Sequence, residues 1–260
     1  MIEELFAWAR LDCLPAAQRL GLRREAAALA VRHRRLRTHW AGHVEQTRSA
    51  LLASARLAAM SPDAPRRAWI MGAGLLQDVP LQAVLELFDT VDLVDVCFGP
   101  VARAEAARHP GRVRCVHQDV SGVLDDLSRD PLQAAPAMPA DAWCASVNLL
   151  SQLPLLPCSA RLDRGDSDAG VERYGASIQQ AHVDALSRVP HACLIIEYAQ
   201  TRPDTPDEVL LPGLPVRLAA GGWSAGPHWH WPLNPAGETA EPSGRAMQAW
   251  WRTGTHTDPR

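Results

Sequence analysis

Apolar residues recur at helical spacing through the first sixty positions and then change to short unbroken runs. Leu5, Ala9, Leu11 and Leu14 lead into positions 26–31, and Leu36, Trp40, Val44, Leu51 and Leu52 continue the pattern. Ser61-Pro-Asp-Ala-Pro65 interrupts it, and an apolar strand follows at once. This break is the expected boundary between a helical N-terminal extension over 1–62, read as a lid, and a second unit over 63–260.

From residue 68 onward strands and helices are expected in alternation. Strands are predicted at 68–71, 91–96, 113–116, 142–147 and 192–198, each a short run rich in Val, Ile, Leu and Ala. Helices are predicted at 79–88, 100–108, 121–128 and 171–189, while 129–140 and 156–169 read as loops. Such alternation argues for a parallel sheet covered on both faces. Residues 201–215 are proline-rich, and the last two strands, at 228–233 and 247–253, have no strong helix between them, which suggests an antiparallel hairpin. The expected fold is therefore α/β: a doubly wound, mostly parallel seven-stranded sheet with a C-terminal antiparallel hairpin, plus the N-terminal helical segment.

Composition narrows the class. Apolar residues make up 47% and charged residues 21% of the 260, ordinary for a globule with a real core. No run approaches a membrane span, and acids stand where a signal peptide would carry basic residues, so a cytoplasmic protein is expected. The net charge of −3 is uneven: residues 1–60 hold ten arginines against five acids. The basic run Arg32-His-Arg-Arg-Leu-Arg37 can meet phosphate, but aromatic residues are not interleaved with it and the rest of the chain is acidic, which argues against nucleic acid. Of six cysteines, Cys97, Cys115, Cys144 and Cys193 sit in or beside expected strands and no Cys-x-x-Cys occurs, so reduced core thiols are expected and no metal site.

The chemistry begins at Trp69-Ile-Met-Gly-Ala-Gly-Leu-Leu-Gln-Asp78, a strand running into a glycine turn. Glycine lets a backbone approach a ligand without a Cβ in the way. Val91-Asp-Leu-Val-Asp95 ends a second strand on a carboxylate able to accept from two ribose hydroxyls. Gln118-Asp119-Val120 follows the third strand, and Asn148-Leu-Leu-Ser-Gln-Leu-Pro154 the fourth.

With five β/α units and a terminal hairpin, these blocks resemble the class I S-adenosylmethionine-dependent methyltransferases over roughly residues 66–253. The resemblance implies S-adenosyl-L-methionine as cofactor and a Rossmann-like fold. It places Gly72, Ala73 and Gly74 under the methionine moiety, Asp95 and Val96 at the ribose, and Asp119 and Val120 at the adenine. Asn148 falls in the segment that closes over the cofactor. The chain departs from the family at Ile70, where an acid is usual, and at Leu76, where a third glycine is expected; Asp78 either supplies the missing polar contact or caps a helix. Asp119 can equally cap the helix expected at Ser121.

The reaction implied is methyl transfer to a small molecule. Aminopropyl or aminocarboxypropyl transfer on the same fold, a nicotinamide-dependent oxidoreductase and a non-catalytic relative remain as alternatives. Methyl transfer needs a positioned acceptor, and a base only where that acceptor is protonated. His43, His228 and His230 are the candidate bases by side-chain pKa. His228-Trp-His-Trp231 alternates as a strand does, with both tryptophans on one face, either as an aromatic substrate wall or as packing at a sheet edge or homodimer contact. Trp40, His43, Gln152, Tyr174, Glu197 and Trp229 are the candidate substrate contacts. His39 and His43 stand one helical turn apart, a spacing that suits a metal, but no third ligand is evident.

Overall fold

The computed structural model describes residues 2–203, 205–239 and 241–254. The central sheet contains β1 (Arg67–Met71), β2 (Thr90–Asp95), β3 (Val113–His117), β4 (Ala142–Val147), β5 (His191–Thr201), β6 (Ser224–Asn234) and β7 (Ser243–Arg252). Their order is β3-β2-β1-β4-β5-β7-β6. The first five are parallel, and β7 runs antiparallel between β5 and β6. An eighth short strand, Glu208–Val209, pairs with β5. This is the doubly wound sheet with a terminal hairpin that the residue pattern predicts.

Ten helices are described: α1 (Ile2–Ala9), α2 (Pro15–Arg19), α3 (Leu22–Arg35), α4 (Arg37–Ala59), α5 (Leu81–Leu85), α6 (Pro100–Arg108), α7 (Pro131–Ala134), α8 (Leu155–Leu162), α9 (Asp168–Ser187) and α10 (Leu214–Ala220). No helix among the described residues is long and apolar enough to cross a membrane.

Two cores follow from the period-two alternation of β1. Ala68 and Ile70 face a core built with α4, α5 and α6, whereas Trp69 and Met71 face one built with α9 and α10. The helical extension is not peripheral to the sheet. Trp40, Ala50, Leu51, Ala55 and Ala58 of α4 lie in the same core as Ile70, Trp143 and Ile195, and Ser54 Oγ accepts from Trp143 Nε1 at 3.1 Å. Deleting residues 1–60 would therefore uncover one face of the sheet.

Three local expectations are corrected. The helix expected over 121–128 is absent. Asp119 instead accepts from Ser121 N, Ser121 Oγ and Leu124 N, and Gly122 adopts φ +73° where a Cβ would meet Ala134 O at 2.0 Å. This side-chain capping competes with helix formation and wins. Helix α8 arises where a polar, irregular stretch suggested a loop, and α10 begins within a proline-rich stretch; Pro215 occupies the first turn of α10, where a missing N–H costs nothing. Finally, Cys97 is not a reduced thiol but is disulfide-bonded to Cys13, 84 residues away. The two-residue strands Asp12–Cys13 and Cys97–Phe98 pair antiparallel with these cysteines directly opposed. Among the remaining cysteines, burial pushes the Cys144 and Cys193 thiols up to about 12.

Candidate functional site

The strand order reverses between β1 and β4, so the connections leaving their carboxyl ends turn to opposite faces of the sheet, the place where open parallel sheets bind ligands. The glycine turn lies on this boundary. Gly72 has φ +79°, and a Cβ there would approach Val147 O of β4 to 2.6 Å, so only glycine fits without displacing β4. Gly74 donates its N–H to Asp95 Oδ2 at 2.9 Å. Leu76, at the position of the missing third glycine, has φ +55°, so the backbone keeps a glycine-like conformation under a leucine side chain.

Asp95 binds its own loop closely. Besides Gly74 N, it accepts from Val96 N at 2.7 Å and Cys97 N at 3.1 Å, both on Oδ1. Desolvation raises its pKa and these three backbone donors oppose the rise. A carboxylate offers about four acceptor directions, so three partners leave it one. The disulfide belongs to the same corner, since Cys97 is also the residue whose carbonyl a Gly74 Cβ would strike.

On the far side of the turn the structure gathers residues from four elements. Asn148, just past β4 with φ +50°, brings one terminal amide atom within 3.1 Å of Asp78 Oδ2 and 3.3 Å of His43 Nε2. His43, on α4, is 2% exposed and stacks on Trp231 at 4.1 Å between ring centroids, while its Nδ1 accepts from Trp229 Nε1 at 3.1 Å. Desolvation, with a smaller contribution from His33, lowers the His43 pKa to about 3, so the ring is neutral at physiological pH and a poor base. Trp40 meets Trp231 edge-on at 5.2 Å and donates from Nε1 to the carbonyls of Pro232 and Leu233. Gln152 Nε2 donates to Asn148 O at 2.8 Å. Thus Asp78, Asn148, His43, Gln152, Trp40 and Trp229 form one neighbourhood.

Other candidates are placed elsewhere. His228 and His230 point to the exposed face of β6, opposite Trp231, and His230 Nε2 lies 3.0 Å from Thr201 Oγ1. Tyr174 packs with Val123 and Ile178 beneath Arg161, which sits 4.2 Å over its ring. Glu197 is paired with Arg245 at 3.0 Å. Val120 is buried in the core on the α9 side, Val96 is half-buried, and Asp119 is engaged by its own turn. His39 is exposed while His43 is buried, so one helical turn does not bring them to a common point. Among the described residues no group of three or more His, Cys, Asp or Glu side chains could hold a metal ion. The basic run is engaged within the chain: Arg32 donates to Leu233 O and lies 3.6 Å from Glu238, Arg34 pairs with Glu3, and Arg35 pairs with Glu238.

Sequence reasoning misses His33, and it places Trp231 on one strand face with Trp229 without its stacking on His43. His33 on α3 lies edge-on to Trp40 at 6.0 Å, and its buried Nε2 has no partner. It was read only as part of a charged run, and its approach to Trp40 needs the turn between α3 and α4.

These residues fit an adenosyl-sulfur cofactor at two points. Asp95 keeps one acceptor direction, and the remaining amide atom of Asn148 is buried without a partner. An unpaired buried polar atom costs about 1–3 kcal/mol, which a bound ligand can recover.

No protein-family model and no curated protein matches the chain. Among solved structures, the Burkholderia thailandensis 1,6-didemethyltoxoflavin-N1-methyltransferase, solved with S-adenosylhomocysteine, is 18% identical, with a TM-score of 0.40 over 88% of this chain and 90% of that one. The SAM-bound amino pentose methyltransferase from Micromonospora echinaspora is 13% identical, with a TM-score of 0.35 over 79% and 90%. The 23S rRNA methyltransferase ErmE is 14% identical, with a TM-score of 0.36 over 77% and 67%. These likenesses are distant, and the fold rests on this chain's own strand order.

Proposed function

We propose that the chain is a S-adenosylmethionine-dependent methyltransferase acting on a small molecule. One observation carries the reading: a glycine turn lies across the β1/β4 reversal and is tied by its amide to the acid that ends β2. In this reading the turn at Gly72, Ala73 and Gly74 forms the cofactor floor and Asp95 and Val96 border the ribose, while Val120 in the core and Asp119 in its own turn serve the fold. Asp78 and Asn148 stand at the methionine end. His43, Gln152, Trp40 and Trp229 border the acceptor, with Trp229 and Trp231 as its aromatic wall. When bound, S-adenosylmethionine supplies a methyl carbon on a sulfonium, already activated for attack by a lone pair. The chain's own part is to orient the acceptor and exclude water.

A small acceptor is favoured over nucleic acid because three of the four arginines of the basic run are held by Glu3, Glu238 and Leu233 O. A neutral, stacked His43 suits an acceptor that already presents a lone pair better than one that must lose a proton first.

Thermal melting tests the reading. S-adenosylhomocysteine at 100 times its dissociation constant should add about 2.7 kcal/mol, a rise of several degrees, while NAD should add nothing. A rise with NAD alone would replace the reading with an oxidoreductase, and no rise with either would leave a protein that kept the fold without the cofactor.

A further inference from the structure

The polar chain Trp229–His43–Asn148–Asp78 contains a conflict that its own geometry resolves. An indole N–H can only donate, so His43 Nδ1, 3.1 Å from Trp229 Nε1, must accept. A neutral imidazole then carries its proton on Nε2. That N–H points at an Asn148 amide atom 3.3 Å away, and the same atom lies 3.1 Å from Asp78 Oδ2. If the atom is nitrogen, it serves an ionised Asp78 but sets donor against donor at His43. If it is oxygen, it accepts from His43 and needs a second donor at Asp78. Only a protonated Asp78 satisfies both contacts, and which terminal atom of an amide is oxygen follows from such networks.

We infer that Asp78 is a positioning residue that keeps its carboxyl proton, donates it to Asn148 Oδ1, and so turns the Asn148 N–H2 toward the ligand as a donor. Asn148 Oδ1 then accepts from both Asp78 and His43, and the buried, unpartnered amide atom becomes the nitrogen. A donor at this place suits an anionic acceptor, the class to which an amino-acid carboxylate belongs; that last step rests on the cofactor reading above, whereas the proton count does not.

The surroundings of Asp78 bear on its proton. Desolvation raises its pKa; Asn148 from the β4 end, His33 from α3 and Arg48 from α4 oppose the rise. His33 is itself shifted down, chiefly by desolvation, and is neutral at physiological pH. Arg48 is exposed and donates to Gln77 O at 2.6 Å, so water screens its charge. His43, beyond Asn148, is neutral as well.

The proton count is tested on unliganded protein by carbon-13 NMR of carboxyl-labelled aspartate, with the Asp78 signal assigned by its loss in Asp78→Asn. The signal should stay in its protonated position through neutral pH, and nitrogen-15 spectra of wild-type histidine should show His43 as the Nε2–H tautomer throughout. An Asp78 that titrates near the ordinary value of about 3.9, or a His43 carrying its proton on Nδ1, would overturn the inference. The histidine spectrum needs only wild-type protein, so a poorly folding variant does not remove the test. The donor role is tested with two ligands and Asn148→Asp. S-adenosylhomocysteine should bind at least tenfold more weakly to the variant, while methylthioadenosine, which lacks the amino-acid carboxylate, should change less than twofold. Equal effects on both, or on neither, would refute the donor role. Failure of both ligands to bind wild type would end the cofactor reading and leave the proton count to the spectra.

Discussion

Two carboxylates, fourteen residues apart in sequence, show how a structural ion cluster differs from a candidate site. Asp92 in β2 is fully buried and both its oxygens are held by arginines: Arg67 donates to it at 2.5 Å, and Arg114 donates through two nitrogens at 2.7 and 2.9 Å. Asp78 is half-buried and is met by one amide atom that it shares with His43, beside a second amide atom with no partner. In the first cluster the carboxylate is met by two guanidinium groups that bind neighbouring strands together. The second, at the strand reversal and next to left-handed backbone at Leu76 and Asn148, retains capacity and stored strain. Completeness of pairing, more than burial or charge, separates the two.

The widest gap between the clusters should open on Asp92→Asn. Removing one partner from a buried pair typically costs 3–5 kcal/mol. Arg114 is exposed and can rehydrate, so about 3 kcal/mol is expected from the urea midpoint, with S-adenosylhomocysteine affinity unchanged. Weakened ligand binding at unchanged stability would erase the distinction.

Gly72→Ala should follow, at about 2–3 kcal/mol by the same measurement, because the left-handed φ and the 2.6 Å approach to Val147 O both oppose a Cβ. Here ligand affinity should fall as well, since the turn serves fold and site together.

Acid should act next. His43 and His182 are held neutral with pKa values of about 3 and about 4, below the unfolded value of 6.5. Between those limits the unfolded chain binds more protons, so stability rises with pH and is lost as pH falls below about 6.5. Each histidine contributes up to about 1.4 kcal/mol per pH unit in its window. Urea titrations should show a slope between pH 4 and 6 that His43→Gln reduces; an unchanged slope would mean that His43 is protonated in the folded protein.

The smallest stability effect should come from Asn148→Gly. Glycine relieves the φ of +50° while the side-chain contacts are lost, so stability should move by less than about 1 kcal/mol. S-adenosylhomocysteine affinity should nevertheless drop clearly in calorimetry. A large loss of stability with intact binding would assign Asn148 to the fold.

The same contrast explains what was legible in the sequence. The strands were readable because a strand buried on both faces is a nearly continuous apolar run, as 142–147 is but for Ser146, and the observed β4 has those limits. Helix α6 was readable from Pro100 at its start and the alanine-rich stretch behind it. Helix α8 was hidden by the polar, irregular character of 156–169 and α10 by a proline that serves its first turn, and the absent helix at 121–128 lost to side-chain capping by Asp119. At the site, residues immediately after strands could be located from strand ends alone, as with Gly72, Asp95 and Asn148. His43 was named without its neighbours, and His33 was missed, because their meeting with Trp40, Trp229 and Trp231 depends on how α3 and α4 lie against β6. The Cys13–Cys97 bond was invisible for a similar reason, since it follows from a two-residue strand pairing across 84 positions.

Calorimetric titration of the wild-type chain with S-adenosylhomocysteine, alongside Gly72→Ala and Asp92→Asn, tests the central claim most directly. Saturable one-to-one binding that weakens in Gly72→Ala and persists in Asp92→Asn is the predicted result. Absence of binding to the wild type, or equal binding by all three, would contradict it.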